Sequence, residues 1–373
     1  MLTKTAFNQV CSTRGVTPEC LRTLYGTIDY DAQVPERNSM GVVNLRCSLS
    51  SSSDIKTFLR TYRPEAETAA DNLTTIHING CPQNKSATLP ADATEAALDV
   101  QTSLGIGWPT PLTVWSTNTA PYWSHIPDYN TFSIWLDYLL QQDSIPRVIS
   151  ISYGHAESVY SRDSAYAMCS KYAQLAARGV SVLVGSGDYG VAGITANYSC
   201  RPGTKQDYYA HVPTFPSTCP YVTSVGGTEG FVSERAAYNP STQYTSGGGF
   251  SRYFTRPTFQ DEAVTPYADA FGHRNHGLWN SSGRAYPDIS AHSRNFSIVL
   301  NGTFEGTGGT SASAPTVAAV ISLLKDAQIA AGQRPLGWLN PWLYGKCGAA
   351  FSDVTKGWNL GCNFTLGFDA AKG

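Results

Sequence analysis

Apolar positions along the chain follow two spacings. Short, nearly continuous apolar runs stand at "MGVVNL" (40–45), "TTIHI" (74–78), "LTVW" (112–115), "RVISISYG" (147–154), "VSVLVGSGD" (180–188) and "YVTSVGGT" (221–228). Runs of this length, bounded by polar or glycine-rich segments, predict strands buried on both faces. Elsewhere the apolar residues recur at helical spacing, in "SDIKTFLRTY", "TEAALDVQTSLG", "FSIWLDYLLQQ" and "SAYAMCSKYAQLAARG". A last helical pattern, "TVAAVISLLKDAQIAAG", aligns Val317, Val320, Ile321, Leu324 and Ile329. Strand and helix in alternation predict an α/β fold, with a mainly parallel sheet covered by helices on both faces. Residues 190 to 307 are richer in Gly, Pro, Ser and Tyr and are expected as loops and short strands decorating that sheet. The whole of 1–373 therefore reads as one domain.

Composition narrows the range of functions. The chain has 373 residues, 42% apolar and 14% charged, enough for a large core. A net charge of −2 gives no electrostatic support for nucleic-acid binding. The apolar runs fall short of the roughly 18 residues that span a bilayer, so a soluble protein is expected. The nine cysteines contain no C-x-x-C pair, which argues against structural zinc. N-x-[ST] sequons at Asn72, Asn84, Asn197, Asn280, Asn295, Asn301 and Asn363 suit a glycoprotein of an oxidising compartment. There Cys11 and Cys20, which bracket a short loop, are expected to pair. "MLTKTAFNQV" has neither the apolar run nor the small-residue pattern of a signal peptide, and both ends read as cut.

Candidate chemistry starts at "GGTSASAP" (308–315), where a glycine turn runs into the last helix. Ser311 there is placed as a nucleophile would be, beside free backbone N–H groups that can hold an oxyanion. Thr310, Ser311 and Ser313 are also ordinary capping residues, so the assignment depends on partners. Histidine is the usual proton acceptor. His77, His125, His155, His211, His273, His276 and His292 are present, but none lies in an H-G-T-H setting. Carboxylates offer another route. Glu95 and Asp99 in "ATEAALDVQ" share a helix face, where like charges repel unless they share a proton, face water or meet a cation. Ala96, Ala97 and Leu98 around them suit a packed, partly dehydrated site. Asp188 in "SGDYG" closes a strand, where a turn residue is also common.

Taken in order, "TEAALDVQ", "SISYGHAE", "SGDYG", "VGGT", "SGGGFS", "GRAYPDISA", "GGTSASAP", "RPLGWLNPWLYG" and "FSDVT" resemble the sedolisins, the serine-carboxyl peptidases that act in acid. The resemblance runs from about Val16 to the last residue and implies a subtilisin-like fold. It implies Ser311 as nucleophile, Glu95 as general base, Asp99 as the acid that orients and shares a proton with it, and Asp188 as a protonated oxyanion-hole donor. It implies peptide or protein substrates lying along Ser152, Tyr153 and Gly154 and along Ser246, Gly247 and Gly248, whose exposed backbone would pair an extended chain. It also implies a calcium site at Asp353, Val354, Ala371 and Gly373, whose last aspartate would fall beyond this sequence. A prodomain in the precursor, a monomer, and a secreted, extracellular, lysosome-like or vacuolar setting complete the expectation. Close likeness of "CSTRGVTPECLRTLYG" and "GDYGVAG" to tripeptidyl-peptidases favours release of tripeptides over internal cleavage. A catalytically silent peptide binder and a histidine-dependent subtilase are the rival readings.

Overall fold

The structure is a computed structural model, and it describes residues 10–82, 90–118, 131–193, 200, 211–272, 277–346, 350–362 and 365–370. Seven strands form the spine of the main sheet: β1 (Met40–Leu45), β2 (Thr74–Ile78), β3 (Leu112–Thr117), β4 (Val148–Ile151), β5 (Ser181–Gly185), β6 (Thr223–Glu229) and β7 (Ile289–His292). Their spatial order is β7-β6-β5-β4-β1-β3-β2, and every neighbouring pair is parallel. The six apolar runs of the sequence are six of these strands. The seventh corrects the expectation that residues 190–307 only decorate the sheet. β7 is an edge strand of the sheet itself, inside "GRAYPDISA", where Pro287 and a half-buried Ile289 and Ser290 mask the strand pattern.

Eight helices are used here: α1 (Pro18–Leu24), α2 (Ser52–Tyr62), α3 (Pro90–Gly107), α4 (Thr131–Leu140), α5 (Arg162–Ala177), α6 (Asp261–Phe271), α7 (Thr310–Ala330) and α8 (Asn340–Lys346). Alternation along each strand divides the apolar side chains between two cores. Val42, Val114, Val148, Leu183 and Val225 meet α2, α3 and α7 on one face. Val43, Trp115, Ile149, Val182 and Val184 meet α4 and α5 on the other. Both faces of the inner strands are covered, which is why they read as continuous apolar runs, whereas β2 at the sheet edge is mostly half-buried, against the expectation for "TTIHI".

Four disulfides tie the loops: Cys11–Cys20, as expected from the sequence, with Cys47–Cys81, Cys169–Cys219 and Cys200–Cys362. The ninth cysteine, Cys347, lies outside the described residues. No described helix is long and apolar enough to cross a membrane.

Two helices set the site. α3 and α7 pack against each other on one face of the sheet. α7 begins where Gly309 adopts φ +122°, a left-handed conformation that a side chain rarely takes. This brings the first turn of α7 to the carboxyl ends of β4 and β5, where loops 152–154 and 186–190 emerge.

Candidate active site

Helical geometry puts Glu95 and Asp99 one turn apart on α3. Ala96, Ala97 and Leu98 between them are buried, so the dehydrated setting expected from the sequence is present. Asp99 is fully buried and Glu95 half-buried. Burial pushes the Glu95 carboxyl up to about 8; a hydrogen bond with the Ser311 hydroxyl acts in the opposite direction, and the Asp188 and Asp92 carboxylates add to the rise. Asp99 is also pushed well above the usual carboxylate range, by burial first and by the neighbouring Glu95 second. Glu95 Oε1 and Asp99 Oδ2 are buried and have no hydrogen-bond partner among the described residues. Buried carboxyl oxygens left this way favour a proton held on the pair.

Ser152, just past β4, links this pair to the helix opposite. Its Oγ donates to Asp99 Oδ1 at 2.6 Å and to the Ser311 carbonyl at 3.3 Å, and the Ser311 hydroxyl donates to the Ser152 carbonyl at 3.5 Å. The sequence had placed Ser152 among residues that line a peptide cleft; its side chain instead reaches the acid that neighbours Glu95. Tyr153 turns its hydroxyl to Ser48 Oγ at 3.2 Å. At Gly154 an added Cβ would stand 2.8 Å from Thr214, so the backbone there is tightly packed.

Asp188 follows β5 and approaches the same first turn from the other side. Its Oδ1 accepts from the Thr310 backbone N–H at 2.8 Å and from Thr310 Oγ1 at 2.9 Å. Thr310 Oγ1 in turn accepts from the Gly187 N–H at 3.0 Å. Burial raises the Asp188 carboxyl above its ordinary range, although both Thr310 bonds favour the anion. A Cβ on Gly309 would stand 2.6 Å from Asp188 Oδ2, so only glycine leaves that oxygen its place. Thr310 is the functional neighbour that sequence reading passed over. Its capping-type side chain gave no sign that it holds Asp188 rather than its own helix.

Ser311, at the second position of α7, is 9% exposed. Its backbone N–H lies in the first turn, where a helix offers no carbonyl partner. The arrangement thus has a hydroxyl against a carboxyl of raised proton affinity, and a second protonatable carboxyl beside a free N–H.

The second segment expected along a substrate is closely packed. Ser246, Gly247 and Gly248 are buried, and their backbone is already engaged. The Gly247 N–H donates to the Gly187 carbonyl at 2.6 Å, the Gly247 carbonyl accepts from Ser186 Oγ at 2.7 Å, and the Gly248 carbonyl accepts from Asn359 Nδ2 at 3.2 Å. The glycines serve close packing: a Cβ on Gly247 would stand 2.3 Å from the Ser186 carbonyl. This segment packs on the loop that carries Asp188, and Ser246, Gly247 and Gly248 also line a cavity of about 380 Å³.

Histidine does not stand in for the carboxyls among the described residues. The His292 ring packs near Phe231 and Phe296 with Nε2 3.0 Å from the Arg294 carbonyl, His211 packs on Phe368, and His155 lies between Phe132 and Tyr160. His125, His273 and His276 lie outside the described residues.

For the expected metal, Asp353 is exposed and, with Val354, lines a cavity of about 380 Å³. Ala371 and Gly373 lie outside the described residues. No group of three or more His, Cys, Asp or Glu side chains that could hold a metal occurs among the described residues.

Comparison with known proteins agrees with this geometry. The profile described as the subtilase family matches residues 118–334. "Probable tripeptidyl-peptidase SED3" of Arthroderma benhamiae is 38% identical over 359 residues, covering 93% of this chain and 58% of that protein. "Tripeptidyl-peptidase SED2" of Arthroderma otae is 36% identical over 370 residues, covering 96% and 59%. The chain therefore spans about three-fifths of the length of the curated relatives it matches. Among solved structures, Pseudomonas sedolisin, a serine-carboxyl proteinase complexed with two molecules of pseudo-iodotyrostatin, superposes with a TM-score of 0.70 at 19% identity, covering 96% of each chain. The parallel sheet, the α3–α7 pair and these matches lead to one assignment: the chain, similar to those tripeptidyl-peptidases over nearly its whole length and sharing the fold of sedolisin, belongs to the subtilase family.

Proposed function

We propose that the protein is an acid-active peptidase that cleaves peptide bonds through an acyl-enzyme on Ser311 and releases tripeptides from free N-termini. The observation that carries this reading is the convergence of Glu95 and Asp99 on α3 with Ser311 on α7, bridged by Ser152, whose hydroxyl reaches Asp99 Oδ1 and the Ser311 carbonyl, while Asp188 stands beside the same helix turn.

The steps follow from those positions. Glu95, with its proton passed toward Asp99, takes the hydroxyl proton as Ser311 Oγ bonds to the scissile carbonyl carbon. The carbonyl oxygen becomes an oxyanion, and protonated Asp188 and the Ser311 N–H donate to it. As the C–N bond breaks, Glu95 returns the proton to the departing amine. Water then attacks the acyl-enzyme, gives its proton to Glu95, and releases the acid while Ser311 regains its hydrogen. Ser152 holds Asp99 in position throughout. Higher pH opposes this chemistry twice, since Asp188 loses the proton it donates and the Glu95–Asp99 pair becomes a repelling dianion.

The tripeptidyl assignment is supported by the names of the relatives. Four disulfides and the exposed sequon asparagines Asn72, Asn280, Asn295 and Asn301 support export through an oxidising, glycosylating route. Calcium is proposed at Asp353 and the Val354 carbonyl. Calcium takes about six to eight oxygens, so two described donors are too few for any step to be routed through it. Bound calcium would stabilise the C-terminal loops, and chelation lowering the melting temperature of the wild type but not of Asp353→Ala would support it.

Two assays at acidic pH test the main reading. An active-site phosphonate should label Ser311 covalently, and mass spectrometry should find tripeptides from a free-amine peptide and none from its N-acetylated twin. Labelling without turnover would favour a peptide-binding relative, and equal cleavage of both peptides would favour an endopeptidase.

A further inference from the structure

The proposed mechanism leaves a second cavity unused, of about 380 Å³, which borders Asp188 and the glycines two and three residues before Ser311. Asp188, Gly308 and Gly309 form one wall, and Asn239, Arg294 and Gly306 are among the others. Glu95, Asp99 and Ser152 do not line it, so it opens on the Asp188 side of Ser311.

Its lining holds one guanidinium, Arg294, and one carboxyl, Asp188, which the proposed mechanism keeps protonated. Arg294 Nη1 donates to Glu229 Oε2 at 2.7 Å and to the Tyr238 carbonyl at 2.7 Å. Glu229 also faces Arg235 Nη2 at 2.7 Å, so one carboxylate is shared by two guanidiniums. Arg294 keeps 23% of its side chain exposed, and the remaining walls are mostly amides, hydroxyls and backbone. An apolar side chain would gain little from such walls. A planar group bearing acceptor oxygens matches the guanidinium fork.

We propose that this cavity is a substrate subsite for a side chain ending in a carboxylate or carboxamide next to the scissile bond, with Arg294 as the specificity-determining residue. The inference rests on the peptidase reading, because an acyl oxygen held at Asp188 brings a flanking residue to the cavity mouth. That residue lies on either the acyl side or the leaving side, and varying each position separately identifies which.

The test uses two peptide series with free N-termini, one varying the residue before the cleaved bond and one the residue after it, each across Glu, Gln, Leu and Lys. At about pH 5.5 a glutamate side chain is mostly ionised. In one series, kcat/KM for Glu and Gln should exceed that for Leu by about tenfold, the lower end for a charge-assisted hydrogen bond, with Lys poorest. Arg294→Gln should lose the advantage of Glu while keeping that of Gln. Because Arg294 is ion-paired, Gly306→Glu provides an independent arm. A Cβ on Gly306 meets nothing within 4 Å, so the substitution is expected to fold and to shift the preference from Glu toward Lys. Binding of the same peptides to Ser311→Ala is measured in parallel. Flat preference in both series, or a preference that Gly306→Glu leaves unchanged, overturns the subsite. Selective binding to Ser311→Ala with no turnover by the wild type overturns the catalytic reading and leaves the subsite standing.

Discussion

Ser311 is buried in the first turn of α7, where its hydroxyl makes only a long 3.5 Å bond to the Ser152 carbonyl, so replacing it by alanine removes little that holds the fold. Ser311→Ala should therefore abolish turnover while the circular dichroism spectrum and melting temperature stay close to wild type. Glu95→Gln should be nearly as damaging, because an amide cannot accept the hydroxyl proton and residues acting as one unit lose function non-additively. More than a trace of single-turnover acylation in either purified variant would remove that residue from the mechanism. Asp188 gives a sharper test. Burial raises its pKa, so the wild type should lose activity as rising pH removes that proton. An amide donates without being protonated. Asp188→Asn should accordingly retain more activity than Asp188→Ala, and its pH profile should extend further toward neutrality. Equal losses with an unchanged profile would show that Asp188 does not donate to the oxyanion.

At the scale of elements, legibility follows apolar and β-branched runs more than burial. Six strands were visible that way, β2 among them although it is mostly half-buried, and α2, α3, α4, α5 and α7 as helical recurrences. β7 was hidden because Ile289–His292 is short, alternates with polar residues and follows Pro287. α6 escaped notice because only Val264 and Phe271 of its residues are buried. Glu95, Asp99, Asp188 and Ser311 were found through the resemblance, since each alone suits an ordinary helix or turn. The roles of Ser152 and Thr310 depend on contacts 53 and 122 residues away in sequence, which no local pattern encodes. "RAYPD" likewise read as tight backbone, yet it contains a fully buried ion pair between Arg284 and Asp288. Asp288 also accepts from the Ser224 N–H at 2.7 Å, from Gln260 Nε2 at 3.2 Å and from the Tyr344 hydroxyl at 2.9 Å. It thereby joins β6, the turn before α6, and α8. Removing one partner strands a buried charge, so Asp288→Ala should cost about 3–5 kcal/mol in urea unfolding. A loss below about 1 kcal/mol would mean that water or rearrangement replaces the network.

For the whole molecule, buried ionisable groups tie stability to pH, and their signs oppose one another. Burial raises the carboxyl pKa values of Glu95, Asp99, Glu157, Asp188 and Glu234. A raised carboxyl holds its proton when folded at a pH where the unfolded chain has released it. Stability from these groups is therefore fully present below the unfolded value and is lost as pH rises through the folded one. For Glu95 that window runs from 4.5 to about 8. His211 and His292 act the other way. Burial lowers both to about 4 from 6.5, so their contribution increases with pH between those values. Lys325, lowered by burial to about 7 from 10.5, adds stability as pH rises between those two values. Between about pH 6.5 and 7 neither the histidines nor Lys325 change and the carboxyls still do. The melting temperature should consequently fall across that interval, and fall less steeply in Glu95→Gln, which removes one titrating group without changing the size of the side chain. Lys325→Met should leave the slope below about pH 7 intact and steepen the fall between about 7 and 8, where the wild-type lysine offsets the carboxyls. Thermal unfolding of the three proteins across the series decides the matter. A Lys325→Met melting temperature that stays level or climbs from pH 6.5 to 8, with wild type and Glu95→Gln no different from each other, would mean that the carboxyl pair is already ionised in the native state and that the shared proton of the proposed mechanism is not there.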